Sequence, residues 1–310
     1  MANFIALVHA VLKENNIDTS DMSMDEKVKK FNELSSVENL KKEEQKNHGN
    51  KNKQKDLTNE QNSGTMREAK IVEEAAQIAV EGGIAKQANY RGISVKTANI
   101  INKTLAERKI EYPSMGEFAF VGSSEAHNKL IETAVKQYAL AELLKINPSL
   151  ATDQKMLEIG AEIFLTTEMR NYDIPHVARF ISGNYGYRGI SVNTNKIDDI
   201  AEHVYNAKIG YHPIGTGSIK AIIDHEIGHA MAQTLGLENN LEMDKMYKDA
   251  KRHNAINSGL SKFADEDIGE FIAEGFAEYK NNPNPRGLAS KIGTIIDKEN
   301  AKWIKMNINN

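Results

Sequence analysis

The sequence predicts an α+β fold, mostly helical with a small sheet, behind a helical N-terminal module on a disordered linker. Three observations carry this. Apolar residues recur at helical spacing along most of the chain after residue 66. Short β-prone runs, Phe118-Ala119-Phe120-Val121 and Tyr187-Arg188-Gly189-Ile190-Ser191-Val192, interrupt them. Residues 36–66 contain almost no apolar side chains.

Taken in order, Phe4, Ile5, Val8, Val11 and Leu12 form the apolar stripe of a first helix. Ile17-Asp18-Thr19-Ser20 and the following Met22 to Glu26 read as a turn and a second capped helix, which makes residues 1–35 a small helical module. No Lys or Arg precedes the first apolar run and no small-residue cleavage site follows it, so it is not expected to be a signal peptide. At about twelve residues it is also shorter than the roughly 20 a membrane span needs. Residues 36–66 include KKEEQKNHGNKNKQKDLTNEQNSG, which cannot bury enough surface to offset its ordering entropy and is expected to be a disordered linker.

Residues 67–180 read as a mainly helical region. Ile71, Ala75, Ile78 and Ala79 begin one helix and Ala98 to Leu105 mark another. Glu132 to Ile146 and Gln154 to Thr166 are longer helical runs, the first stopped by Asn147-Pro148. Phe118 to Val121 reads as a strand ending at Gly122. Residues 181–310 are assigned to a final domain that holds the chemistry.

Composition narrows the function. The formal charge of the 310-residue chain is −4 and its lysines are interspersed with acids, so no basic footprint for nucleic acid is present. The absence of cysteine excludes a disulfide framework and cysteine-based catalysis, in keeping with a reducing compartment.

His225-Glu226-Ile227-Gly228-His229 is an H-E-x-x-H run, which on a helix offers two metal-ligating imidazoles and a general base. Positions i and i+4 lie roughly 40° apart around a helix, so the two rings can converge on one ion. Nine histidines and abundant glutamate make the pattern alone insufficient. Its surroundings support it. Gly215-Thr216-Gly217-Ser218 reads as a loop ending in an N-cap, Gly236 as a C-cap, and Ile219 to Leu235 between them as a helix of about five turns. Ile219, Ala221, Ile222, Ile223, Ile227, Ala230 and Met231 make that helix apolar enough to cross a domain interior.

A catalytic zinc ion takes three protein ligands and keeps one position open. Downstream, Asp265 to Tyr279 has Ile268, Phe271, Ile272, Gly275, Phe276 and Tyr279 at helical spacing, with Glu270, Glu274 and Glu278 four apart on another face. The residues between those glutamates are Ala273 and Ala277, which allow close helix packing where a solvated face would carry lysines. Leu241 to His253 is expected to be a connecting helix that turns the chain back.

HEIGH followed by EFIAEGF resembles the gluzincin arrangement. It closely resembles catalytic domains of the anthrax lethal factor type and related phage- or prophage-encoded, minor head-associated zinc-peptidase domains, over residues 180–300. The resemblance implies a zincin-like fold with one catalytic Zn2+ held by His225, His229 and Glu270, Glu274 supporting a ligand histidine, and Glu226 as general base. Glu274 as the third ligand is the alternative that a one-turn shift of the helix would give. It further implies that Tyr187 to Val192 is the edge strand along which an extended peptide binds.

One position departs from the family. The tyrosine that stabilises the oxyanion, seven residues before the third ligand, is here Phe263, which cannot donate a hydrogen bond. Losing such a donor costs about 10²–10³ in rate. Tyr211, His212 and Tyr279 are the candidate substitutes, the alternative being a slow or degenerate site.

The expected function is a phage- or prophage-associated zinc metallopeptidase, located in the bacterial host cytoplasm or on the virion. Its expected partner is a protein or peptide substrate, a phage structural protein or the chain itself, without nucleic acid or membrane. The alternative is a non-catalytic phage structural or assembly protein with a zincin fold. Tyr90-Arg91-Gly92-Ile93-Ser94-Val95 recurs as Tyr187 to Val192 without alignable flanks, so no duplicated domain is inferred. Tyr-Arg-Gly before Ser also resembles the first motif of ADP-ribosyltransferases, but a convincing Ser-Thr-Ser is missing, which leaves that activity a remote alternative.

Overall fold

The computed structural model describes residues 67–130, 176–182 and 188–307, with isolated positions between 140 and 159. The continuous described segments belong to one compact unit that spans Gly64–Ala134 and Glu168–Asn310. The expected N-terminal module and linker lie outside the described residues. So do the helices expected over Glu132 to Ile146 and Gln154 to Thr166, apart from isolated helical positions such as Leu140 and Lys155.

The unit is α+β and mostly helical, in the order α1 (Val72–Glu81), β1 (Ala85–Asn89), α2 (Val95–Glu111), β2 (Phe118–Ser123), β3 (Ala178–Ser182) and β4 (Arg188–Val192). Then come α3 (Ala201–Lys208), α4 (Ile219–Leu235), α5 (Leu241–Arg252), the short α6 (Ile256–Gly259), α7 (Ile268–Asn281) and α8 (Gly287–Asn307). The described strands form one sheet in the order β1-β2-β4-β3. β1, β2 and β4 are parallel and β3 is antiparallel to β4. Because β2 pairs with β4, one sheet draws strands from both residues 67–180 and residues 181–310.

The run Tyr187 to Val192 is not the edge of this sheet. Its described part is β4, hydrogen-bonded on both sides, with Gly189, Ile190, Ser191 and Val192 all buried. A Cβ at Gly189 would stand 2.6 Å from the Phe120 carbonyl oxygen, so only glycine admits β2 so closely. The edge is β3. Its sequence Ala-Arg-Phe-Ile-Ser leaves Arg179 and Ser182 exposed, the polar interruption that edge strands use against unwanted pairing.

α4 packs against both β3 and α7. Its ends follow from sequence: the Ser218 hydroxyl accepts from the Ala221 N–H, and Gly236 closes the helix at φ 62° in the left-handed region. Ile222, Ile223, Ile227 and Met231 of α4 share one buried core with Phe271, Ile272 and Phe276 of α7 and with Ile190 and Val192 of β4. Gly228 sets the spacing of the two helices, because a Cβ there would meet the Ala273 Cα at 2.7 Å. Their backbones therefore touch midway along α4. A buried ion pair locks the same helices, with Arg108 of α2 donating to Asp224 at 2.7 and 3.0 Å and Asn281 of α7 adding a bond at 2.8 Å. Among the described residues no helix is long and apolar enough to cross a membrane.

Candidate metal centre

His225 and His229 occupy successive turns of α4, and the contact at Gly228 brings α7 alongside them. α7 starts at Asp267, whose carboxylate accepts from the Glu270 N–H at 2.9 Å. This fixes Glu270 in the first turn, opposite the histidines. Nε2 of His225 lies 3.1 Å from Nε2 of His229, and the Glu270 carboxylate oxygens lie 3.2 Å from the first and 3.5 Å from the second.

Three donors that face one another at this spacing could hold a metal ion. Ligands at about 2.0–2.1 Å from a tetrahedral ion stand roughly 3.3 Å apart, which is the spacing found. One donor is otherwise orphaned. Glu270 Oε2 is buried without a hydrogen bond of acceptable geometry, despite its nearness to His225. A cation at the centre would satisfy it.

Glu274, one turn further along α7, stands behind the group. Its carboxylate lies 2.9 Å from Nδ1 of His225 and 3.3 Å from Nδ1 of His212, and accepts from the Ser261 hydroxyl at 2.8 Å. Burial alone would raise its pKa, but hydrogen bonds from His212 and His225 outweigh that and bring it down to about 2. Burial likewise opposes charge on His225, yet Glu270 and Glu274 together hold its pKa well above the usual histidine value. A carboxylate on Nδ1 fixes the tautomer that leaves Nε2 facing the other donors. Of the two glutamates, then, Glu270 meets both Nε2 atoms and Glu274 orients His225.

These residues open on a cavity of 1090 Å³. Glu226 lines it next to β3, where its Oε2 accepts a hydrogen bond from the Phe180 N–H. Phe263 packs over His225, with ring centroids 6.1 Å apart, and Tyr211 stacks on Phe263 at 5.7 Å. Of Tyr211, His212 and Tyr279, the first two line the cavity. Tyr279 does not, and its hydroxyl donates to Asp297 at 2.8 Å. Burial, then the nearby Glu266, Glu274 and Glu270, raise the Tyr211 pKa.

Sequence reasoning passed over several neighbours. His203 packs its ring, tilted, against His212 at 4.5 Å and bonds the Thr216 carbonyl at 2.9 Å, and burial lowers its pKa to about 4. Ser261 reaches Glu274 from a loop with no motif. The Asp267 cap did have a signal, the Asp-x-x-Glu spacing of Asp267 and Glu270. Arg188, the arginine of the repeated hexapeptide, does not line the cavity. Its guanidinium donates to the Met115 and Ala230 carbonyls.

No protein-family model, curated protein or solved structure matches this chain.

Proposed function

We propose that this chain is a zinc-dependent metallopeptidase of the gluzincin type, phage- or prophage-associated, acting on a protein or peptide substrate. The observation that carries the reading is the convergence of His225 Nε2, His229 Nε2 and a Glu270 carboxylate oxygen beside the Glu226 carboxylate in one cavity. His225, His229 and Glu270 would hold the ion. When bound, zinc supplies Lewis acidity, polarising a carbonyl and making water acidic enough to attack near neutral pH.

The chain's own groups do the rest. Glu226 is tied through Oε2 to the Phe180 N–H, which leaves Oε1 to take a proton from the attacking water and return it to the departing amine. β3 offers the substrate a backbone edge. In an antiparallel pair alternate residues turn outward, so the peptide groups of Ala178 and Ser182 point the same way as that of Phe180. An extended peptide added along β3 would bring its scissile carbonyl past Glu226.

Replacing Glu226 by Gln tests this. The variant is expected to retain zinc at wild-type stoichiometry and to lose hydrolysis of a denatured protein substrate by at least about 10²-fold. Equal turnover in the variant overturns the mechanism. Phe263 favours a second reading, a phage structural or assembly protein that binds metal without turnover, since its ring offers no donor where it packs on His225. The wild-type chain then shows zinc without hydrolysis.

A further inference from the structure

The two histidines of the centre are not equally held. Nδ1 of His225 faces Glu274, whereas among the described residues no hydrogen bond or ion pair engages Nδ1 of His229. A metal-bound imidazole nearly always donates its second N–H to a carboxylate, a carbonyl or water, and losing that partner costs roughly 10–100-fold in metal affinity. A carboxylate stands close by. Glu238 lies in the 3₁₀ turn Leu237–Asn239, which the left-handed Gly236 throws off the end of α4.

Gly269 links the two groups. A Cβ built on it would stand 3.5 Å from Glu238 Oε1 and 3.9 Å from His229 Nδ1. Both atoms thus lie within 4 Å of the bare face of this one residue. Asp267 Oδ1, 3.1 Å from the same point, is already engaged by the Glu270 N–H. Glu238 is exposed, lines the cavity and has no ion-pair partner among the described residues, so its carboxylate is at liberty to turn.

We propose that Glu238 accepts a hydrogen bond from Nδ1–H of His229 and is the positioning residue for that ligand, as Glu274 is for His225, with glycine at 269 keeping the path open. The inference rests on His229 being a ligand of the proposed zinc site. It makes a cross-brace: α7 orients the first histidine through Glu274, and the turn after α4 orients the second through Glu238.

The test is zinc affinity of the full chain, titrated with Zn2+ alone against a chromogenic chelator, together with the ring-nitrogen NMR shifts of His229. Glu238→Ala is expected to weaken zinc about 10–100-fold. Glu238→Gln, whose amide oxygen still accepts a hydrogen bond, should restore most of that loss. In the apo chain the His229 ring should sit in its Nδ1–H tautomer and lose that preference in Glu238→Ala, a change that a merely structural role would not produce. Wild-type affinity in Glu238→Ala, beside normal uptake by the unmodified chain, overturns this inference alone. No zinc uptake by the unmodified chain overturns the proposed function and this inference with it.

Discussion

Glu270 and Glu274 sit one turn apart on the same helix and have the same side chain, yet they face different atoms, and their replacements should be unequal. Glu270 meets both Nε2 atoms, while Glu274 meets Nδ1 of His225, Nδ1 of His212 and the Ser261 hydroxyl. Glu270→Ala removes a donor from the group of three and should strip zinc during dialysis. Glu274→Gln leaves all three donors in place and loosens the orientation of only one, a change worth about 10–100-fold in affinity. Metal analysis after dialysis checks the first and chelator competition the second; the reverse order of losses would assign the ligand role to Glu274. Sequence pattern alone could not separate the two, because positions four apart share one face of a helix. What separates them is where α7 begins, and Asp267 decides that by capping the Glu270 N–H. Ser261 and His203 carry no comparable signal. They reach the site through a loop contact and a ring contact, neither of which has a sequence period.

At the scale of elements, the centre depends on how closely α4 and α7 approach. Gly228 and Ala273 form that contact, with 2.7 Å between a Cβ placed on the glycine and the alanine Cα. On an isolated helix, Gly→Ala would stabilise by about 0.5–1 kcal/mol. Here Gly228→Ala should have the opposite sign, costing about 1–3 kcal/mol as the helices are pushed apart. It should also weaken zinc, because Glu270 moves away from the imidazoles. Urea unfolding with and without zinc measures both effects, and a stabilised variant with intact affinity would show that the helices do not need this contact. α4 itself was readable from its loop, cap, apolar face and C-terminal glycine, because each signal is local to the helix it delimits. The repeated hexapeptide shows where local signals fail. At Tyr90 to Val95 it is a turn leading into the N-cap of α2, with Ser94 accepting from the Thr97 N–H. At Arg188 to Val192 the same residues form an interior strand. Identical chemistry yields two conformations because the neighbours differ: Asp198 bonds Ser94 and Thr97 at the first copy, and β2 and β3 flank the second. The misplaced edge strand has the same origin. Edge or interior position is a property of pairing, and pairing between residues 118–123 and 188–192 leaves no trace in either run.

At the scale of the whole unit, that sheet draws strands from distant parts of the sequence, and it encloses a histidine whose titration reports on the integrity of the fold. His127 is fully buried against Phe120, with ring centroids 4.5 Å apart, and burial lowers its pKa from about 6.5 to about 4. A depressed histidine pKa means the unfolded chain binds the proton more readily than the folded one. Stability linked to His127 is therefore complete above pH 6.5, falls as the pH drops from 6.5 toward 4, and changes no further below that. A shift of this size corresponds to roughly 3–3.5 kcal/mol, at 1.36 kcal/mol per unit. The buried carboxylates of the centre also lose their favourable pairing in acid, so the wild-type slope alone would not isolate the histidine. His127→Phe keeps an aromatic ring against Phe120 and removes the titrating group. Urea unfolding of both chains, zinc-free, at pH 7, 5.5 and 4.5 should show the wild type losing more stability than the variant on acidification, with most of the difference accumulated by pH 4.5. Parallel losses in the two chains would mean that His127 gains its proton without unfolding the sheet, and that the helical residues 124–130, which carry it, open by themselves.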